Sequence, residues 1–373
     1  MSGRPRMTVG PSVLLFSPLP PPEGGIATWT TRVLSAHAFA RLSLRHLDSS
    51  LRSGHSQLGR GSIVRRLAMA ARLFPVFAWV CLRTKPDVVH LTSSGFPGFY
   101  RDVVYIAIAR ALGRRVILNP RLGAPGRFTR RAPRPLRPLI RWAVRACTLV
   151  APLSEEIASE LRGLGASDVQ VVPNCIDVRE HPLREKPRPD VLRVLYLGWV
   201  IPAKGVPELL KAAARSTAWS LAIAGPLIES AWSGEPPEET VKAKGLSGRV
   251  WFLGHKSPDE ARSLFEHYDV LALPSHTEGF PNVVLEAMEA GIPAVATRVG
   301  AIPEMLRDGI DGFVIPVGDV DSLVDRIERL AADPELRLRM GASARDRVIE
   351  RYSIDRVAAM WVDLYRRAAA GPA

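Results

Sequence analysis

Cysteine is nearly absent from this chain. The three in 373 residues, Cys81, Cys147 and Cys175, lie far apart with no C-x-x-C pair and no Cys/His ligand spacing. Neither a disulfide framework nor a zinc site is expected, and a reducing cytoplasm is the natural setting. Long apolar runs are also missing. The first, Val13 to Phe16, is too short for a signal-peptide core, and Leu67 to Leu82 is interrupted by Arg72 and Pro75, so no membrane-spanning helix is expected.

Acidic residues are scarce in the first half only. Residues 1–185 hold 27 Lys and Arg against 11 Asp and Glu, whereas residues 186–373 hold 23 against 26. All of the net charge of +13 therefore sits in the first half. Its densest stretch, Arg127 to Arg145, interleaves Arg130, Arg131, Arg134, Arg137, Arg141 and Arg145 with Pro, Leu, Ile and Trp142. A second stretch, Ile63 to Leu82, mixes Arg65, Arg66 and Arg72 with Phe74, Phe77 and Trp79. Basic, aromatic and aliphatic residues in this mixture suit an interface with anionic lipid, and solvated helix faces with core tryptophans are the plainer alternative. No nucleic-acid module accompanies the charge, so no nucleic-acid partner is expected.

A length of 373 residues with 47% hydrophobic and 23% charged residues is that of a two-domain globular protein. Short apolar runs alternate with helical patterns throughout. In the first half, strands are expected at Val13–Phe16, Asp87–Leu91 and Arg115–Leu118, with helices from Thr28 to Ala38 and at about 62–83 and 100–112. In the second half, strands are expected at 192–197, 219–224, 249–253, 269–273 and 293–296, with helices between them and from Asp321 onward. This alternation predicts an α/β protein with two doubly wound parallel sheets. The polar, Pro-rich segment from Val178 to Val191 reads as a linker, giving domains at 1–185 and 186–373.

The segment Pro274 to Thr297 (PSHTEGFPNVVLEAMEAGIPAVAT) carries the chemistry. The strand before it ends in a Ser/Gly/Pro-rich loop, and a helix is expected to start near Asn282 as its capping residue. Glu278 then lies on the loop and Glu286 on the second turn of the helix. Helix-start amides between them favour an anion such as phosphate, and the two carboxylates accept hydrogen bonds from sugar or ribose hydroxyls. Together these features describe a nucleotide-sugar site; a surface loop with one capping and one solvated glutamate is the alternative on spacing alone.

The residue identities decide between them. Glu278-Gly279-Phe280-Pro281-Asn282, Glu286-Ala287-Met288 and Gly291-Ile292-Pro293 resemble the E-x7-E signature of retaining GT-B glycosyltransferases of the large family-four group. Val172-Pro173-Asn174-Cys175-Ile176-Asp177 is similar to the interdomain V-P-N-G-I-D of that group, and Gly198 to Lys204-Gly205 to its G-R-x4-K-G loop. The resemblance implies two Rossmann-like domains facing across a cleft, an N-terminal one for the acceptor and a C-terminal one for the donor, with the last helix, Ile354 to Arg367, crossing back to the first. It implies a nucleotide diphosphate-sugar as donor substrate, no cofactor and no metal, and retention of configuration, with the leaving diphosphate helping to deprotonate the acceptor. Glu278 would hold donor-sugar hydroxyls, Glu286 the ribose, Lys204 the diphosphate, and the backbone at Gly198, Gly279, Phe280 and Asn282 the sugar and phosphate. Gly24 and Gly25, before a helix, resemble the first donor loop of the family. The expected setting is the cytoplasm, at the inner face of the cell membrane where the acceptor is a lipid-linked saccharide of a surface polysaccharide or glycolipid.

Two positions depart from the pattern. Trp199 stands where the family has an arginine, which removes one diphosphate cation. Asn119-Pro120-Arg121 stands where it commonly has a histidine. Asn119 or Arg121 can hydrogen-bond a donor, and Arg121 can replace the lost cation, but neither titrates as an imidazole does. His90 is an alternative cleft residue. These departures keep open a catalytically weak nucleotide-sugar-binding partner of another transferase, and because a fold does not fix its chemistry a nucleotide-sugar epimerase on the same scaffold is a further alternative. Asp319-Val320-Asp321 has a metal-binding D-x-D form but precedes an amphipathic helix, so capping is expected. Cys175, without a neighbouring base, is expected to be a packed thiol.

Overall fold

The computed structural model describes residues 10–20, 25–50, 63–94, 99–121, 132–179 and 191–371. The chain forms two compact units, one made of residues up to Cys175 together with the segment from Ile354 onward, the other of Ile176–Ser353. The division falls ten residues before the expected one at 185/186, and most of the proposed linker lies outside the described residues.

The first unit is built on five parallel strands: β1 (Ser12–Ser17), β2 (Ser43–Asp48), β3 (Val88–Ser93), β4 (Arg115–Pro120) and β5 (Leu149–Val150), in the order β2-β1-β3-β4-β5. β1 and β3 are buried along almost their whole length, as parallel strands covered on both faces must be. Alternate side chains feed two cores. Leu14, Phe16, Val89, Leu91, Val116 and Leu118 pack with Phe77, Tyr105, Ile140 and Ile157 from the helices Ile63–Thr84, Phe99–Ala111, Arg137–Ala146 and Glu155–Gly163. On the other face, Val13, Leu15, Val88 and Ile117 pack with Trp29 from the helix Gly25–Leu34 and with Trp361 and Tyr365 from the helix Ile354–Ala370. The helix expected to reach Ala38 stops at Leu34 and is followed by a 3-10 turn, His37–Arg41.

The second unit contains six parallel strands, β6 (Leu192–Leu197), β7 (Trp219–Ala224), β8 (Val250–Gly254), β9 (Val270–Leu273), β10 (Ala294–Thr297) and β11 (Gly312–Ile315). Their order is β11-β10-β9-β6-β7-β8. Read from β6, the chain winds outward to β8, returns to the other side of β6 and winds outward again to β11. The carboxyl ends of β6 and β9 therefore flank the point where winding reverses, which is where open α/β sheets bind ligands. In the first unit the same reversal lies between β1 and β3.

A buried carboxylate ties the end of this sheet to the helix Pro334–Arg351. Asp311 takes two hydrogen bonds from the Arg307 guanidinium, at 2.7 and 2.8 Å, and one from Ser343 Oγ at 2.8 Å. Burial alone would raise the Asp311 carboxyl, but these hydrogen bonds and the charge of Arg307 outweigh it and hold the group below the usual carboxylate range. A carboxyl lowered in the folded state stabilises fully above its unfolded pKa of about 4 and loses that contribution as pH falls through the folded value. Asp311→Asn is therefore expected to lower the melting temperature at pH 7, with the gap to wild type closing in melts taken progressively below pH ~4. A gap independent of pH would show that the charge of Asp311 contributes nothing.

Candidate nucleotide-sugar site

Two loops meet at the reversal point of the second unit. The first leaves β6 at Gly198 and ends in a 3-10 turn, Pro202–Lys204. The second leaves β9 at Pro274 and leads into the helix Asn282–Glu289. Gly205 makes their approach possible: its φ is +75°, and a Cβ there would stand 2.0 Å from the Pro274 carbonyl oxygen. His276 N–H donates to the Ala203 carbonyl at 3.0 Å, closing the loops together. From the other side, the backbone of Gly300, with φ +55°, lies where a Cβ would meet the Glu278 and Gly279 carbonyls, and Ala301 N–H donates to Gly279 O at 2.8 Å. Backbone contacts on both flanks thus fix the position of Glu278.

Glu278 Oε1 accepts from Lys204 Nζ at 2.7 Å and from Ser275 Oγ at 2.7 Å, and Lys204 Nζ also reaches the Thr277 carbonyl at 3.4 Å. The pair is partly buried. The Tyr196 hydroxyl donates to the Trp199 carbonyl at 2.7 Å, and burial first, then the Glu278 charge, push its ionisation up. Tyr196 is thus a neutral donor beside the carboxylate, and it holds the loop that carries Lys204. The Trp199 indole itself is 61% exposed. Tyr196 belongs to the stretch leading into the Gly198 loop but has no role assigned from sequence, and no motif marks Ser275. Ser275 lies three residues before Glu278, a spacing that allows a local side-chain bond.

The helix Asn282–Glu289 starts differently from expectation. Pro281 occupies the capping position and makes no side-chain cap, so Asn282 is the first helical residue and not the cap. Proline cannot donate an amide, and the first-turn N–H groups of any helix lack intrahelical partners; here the Val284 amide turns back to the Pro281 carbonyl at 3.1 Å. Phe280, partly buried, packs edge-on against Tyr352 with ring centroids 5.9 Å apart. Glu286 lies on the second turn, four residues after Asn282 and so on the same helix face, and is partly exposed. Its neighbour Glu289, not singled out in the sequence, is buried, with Arg262 at 3.2 Å and Arg345 at 3.6 Å.

The first-unit candidates form a separate cluster at the end of β4. Arg121, only 8% exposed, donates to Asn119 Oδ1 at 3.0 Å and to Asn174 Oδ1, and its guanidinium stacks on the Trp29 ring at 4.2 Å. Burial lowers its pKa to about 9. Asn119 is fully buried and donates to the Ala151 carbonyl. His90 lies in the core between Trp29 and Trp361 and shares a 2.7 Å hydrogen bond with the Tyr365 hydroxyl. Burial, with the charge of Arg121 second, lowers its pKa to about 3, so it stays neutral through the physiological range. Cys175 is a buried thiol pushed up to about 11, mainly by burial. Gly25 opens the helix Gly25–Leu34; Gly24, Arg130 and Arg131 lie outside the described residues. Asp319 caps the helix Val320–Ala332, accepting from Ser322 N–H at 2.9 Å. Among the described residues no group of three or more His, Cys, Asp or Glu could hold a metal ion.

Comparison with known proteins covers both units. A family model described as Glycosyl transferases group 1 matches residues 178–347, and one described as Glycosyltransferase Family 4 matches residues 36–180. The N-acetyl-alpha-D-glucosaminyl L-malate synthase of Bacillus anthracis is 28% identical over 245 residues, 62% of this chain and 62% of that protein. The chain spans little more than half the length of several other curated relatives, 56% in the case of the Arabidopsis thaliana sulfoquinovosyl transferase SQD2. Among solved structures, the sucrose-phosphate synthase of Thermosynechococcus elongatus superposes with a TM-score of 0.75 at 18% identity, covering 96% of this chain and 99% of that one. Anabaena Alr3699/HepE in complex with UDP superposes with a TM-score of 0.72 at 16% identity, covering 95% and 99%. These two likenesses concern the fold.

Proposed function

We infer that this chain, which belongs to the group 1 glycosyltransferases of family 4 and has their GT-B fold, moves a sugar from a nucleotide diphosphate-sugar to an acceptor hydroxyl with retention of configuration. The observation that carries this reading is the contact between Lys204 and Glu278 at the point where the second sheet reverses its winding. A cation and a hydroxyl-binding carboxylate stand side by side there, and the helix that follows begins at Asn282, where the positive end of its dipole favours an anion. Lys204 would stabilise charge on the departing diphosphate. Glu278 would turn to the donor sugar, Glu286 to the ribose, and the backbone at Gly198, Gly279, Phe280 and Asn282 to the phosphate and sugar. Arg121, Asn119 and the helix start at Gly25 are the proposed first-unit contributions. The acceptor is a saccharide, lipid-linked in a surface polysaccharide or glycolipid pathway, and the protein works in the cytoplasm at the membrane.

Calorimetry with a panel of nucleotide diphosphate-sugars, without added metal, tests the reading. One donor should bind, and Glu286→Ala should weaken it by about tenfold or more, as loss of a charged hydrogen bond does. A panel in which nothing binds, or a variant that binds as wild type does, would remove the proposed site. Trp199 supports a second reading, a nucleotide-sugar-binding partner that turns over slowly. Release of free nucleotide with acceptor present separates the two, since only a transferase produces it at a useful rate.

A further inference from the structure

The two basic, aromatic stretches of the first half are some sixty residues apart in sequence, yet the fold places what is described of both in one layer. The helices Ile63–Thr84 and Arg137–Ala146 both pack against the helix Phe99–Ala111, and all three cover the same face of the β1–β5 sheet. Their outward residues form stripes. On the first helix, Arg72, Val76, Trp79 and Arg83 follow one another at helical spacing, with Trp79 60% exposed and the Arg83 guanidinium over its ring at 5.7 Å. On the third, Pro138, Arg141, Trp142 and Arg145 do the same, with Trp142 45% exposed. Leu82, Val104 and Leu139 are exposed between and beside them.

Each tryptophan borders a hollow rimmed by two arginines. One, of about 640 Å³, is lined by Arg45, His46, Trp79 and Arg83; the other, of about 410 Å³, by Pro138, Arg141, Trp142 and Arg145. The three helices contain one acidic residue, Asp102, and it is buried, bonded to Ser93 Oγ at 2.6 Å and to Arg101. Exposed carboxylates flanking this layer are Asp87, just after the first helix and accepting from the Ser12 N–H at 2.9 Å, and those of the helix Glu155–Gly163, where Glu155 pairs with Arg162. Arginine in the last turn stabilises a helix wherever it lies, so Arg83, Arg110 and Arg145 alone would say little. Exposed Trp, Leu and Val beside them have no such account: single apolar side chains are ordinary on a surface, whereas these gather on three adjoining helices, as at an interaction site.

We propose that this three-helix layer is the surface by which the protein docks on an anionic phospholipid bilayer, with Trp79 and Trp142 entering the headgroup region and the flanking arginines taking lipid phosphates. Charge complementarity selects the occupant. A polyanion such as nucleic acid would use the arginines but leave the exposed aliphatic groups in water, whereas a bilayer interface takes both. The proposal stands on this surface and not on the transferase reading, so donor binding and membrane binding can fail separately.

The test is sedimentation of the full chain with vesicles of phosphatidylglycerol and phosphatidylcholine, against phosphatidylcholine alone. Binding is expected only to the anionic vesicles, falling as salt rises. Trp79→Ser with Trp142→Ser should weaken it at least tenfold, and Arg83→Gln, Arg141→Gln and Arg145→Gln by roughly fivefold each. Quenching of the wild-type tryptophans by brominated lipid gives a readout free of any folding defect, and should disappear in the double tryptophan variant while donor binding persists. Absence of anionic-vesicle binding, or binding indifferent to the tryptophans, overturns the proposal. Oligonucleotide binding that needs the arginines but not the tryptophans would reassign the surface to nucleic acid, and self-association lost in the tryptophan variant would reassign it to a second copy.

Discussion

Lys204→Ala is expected to lower kcat by about 10²–10³, the loss typical of removing one preorganised group that meets developing charge. The geometry makes the effect of this substitution two-sided. Without the ammonium, the Glu278 carboxylate keeps only the Ser275 hydroxyl among its bonds described above, and an unscreened anion then faces the incoming diphosphate. Binding of the nucleotide diphosphate should therefore weaken along with turnover. Glu278→Gln separates the two effects, because it releases Lys204 from its 2.7 Å partner and leaves the cation free for phosphate. That variant should bind nucleotide diphosphate at least as tightly as wild type while transferring sugar about a hundredfold more slowly. Calorimetry with the nucleotide and steady-state rates with the full donor read the two quantities. Equal weakening of nucleotide binding in both variants would mean that Glu278 and Lys204 act only as a structural pair.

Glu289→Ala should cost about 3–5 kcal/mol, the usual loss when one partner of a buried charge group is removed. Glu289 is 2% exposed and serves three elements at once: Arg262 from the helix Pro258–Leu264, Arg345 from the helix Pro334–Arg351, and the Arg179 amide at 3.0 Å. Its removal leaves two guanidinium groups poorly hydrated and without their counter-charge. For a unit of this size the melting transition should fall by roughly 10 °C. Replacing Glu289, Arg262 and Arg345 together by apolar residues of similar volume should restore most of the loss, since desolvating three charges is itself expensive. Circular dichroism melts of the single and triple variants decide it. A single variant that melts like wild type would show that water reaches the cluster and screens it.

How far these features were legible beforehand depends on how local they are. β6, β7 and β9 are short apolar runs ended by turn residues, and their bounds could be read within a residue or so. The loop and helix carrying Glu278 and Glu286 follow from a contiguous stretch with a motif. β2 is not legible in sequence because its SLRHLD stretch has no buried face of its own: it is a half-exposed edge strand held by pairing with β1. β5, two residues long, carries no periodicity, and β11 was hidden in the glycine-rich run before it. Asn282 stands one position inside the helix start that its capping preference suggests, because a proline can end the loop without a side-chain cap. Pro75 sits inside a continuous helix, which a propensity argument would break. The contact of Lys204 with Glu278 and the role of Glu289 span many residues of sequence and exist only once strand order brings them together.

The first unit is closed by a helix that follows the whole second unit in the chain. Trp361 packs edge-on against Trp29 and tilted against His90, the Tyr365 hydroxyl shares a hydrogen bond with His90, and Arg115 Nη1 donates to the Ala368 carbonyl at 2.8 Å. Residues 10–175 are made before the second unit, but one face of their sheet has only the helix Gly25–Leu34 and the turn after it as cover until residues 354–370 have been made. In the meantime the whole of the second unit emerges with its strands in one uninterrupted segment. Synthesis order and completion order are therefore opposite: the part begun first is finished after the second unit, with part of its apolar face exposed in the interval.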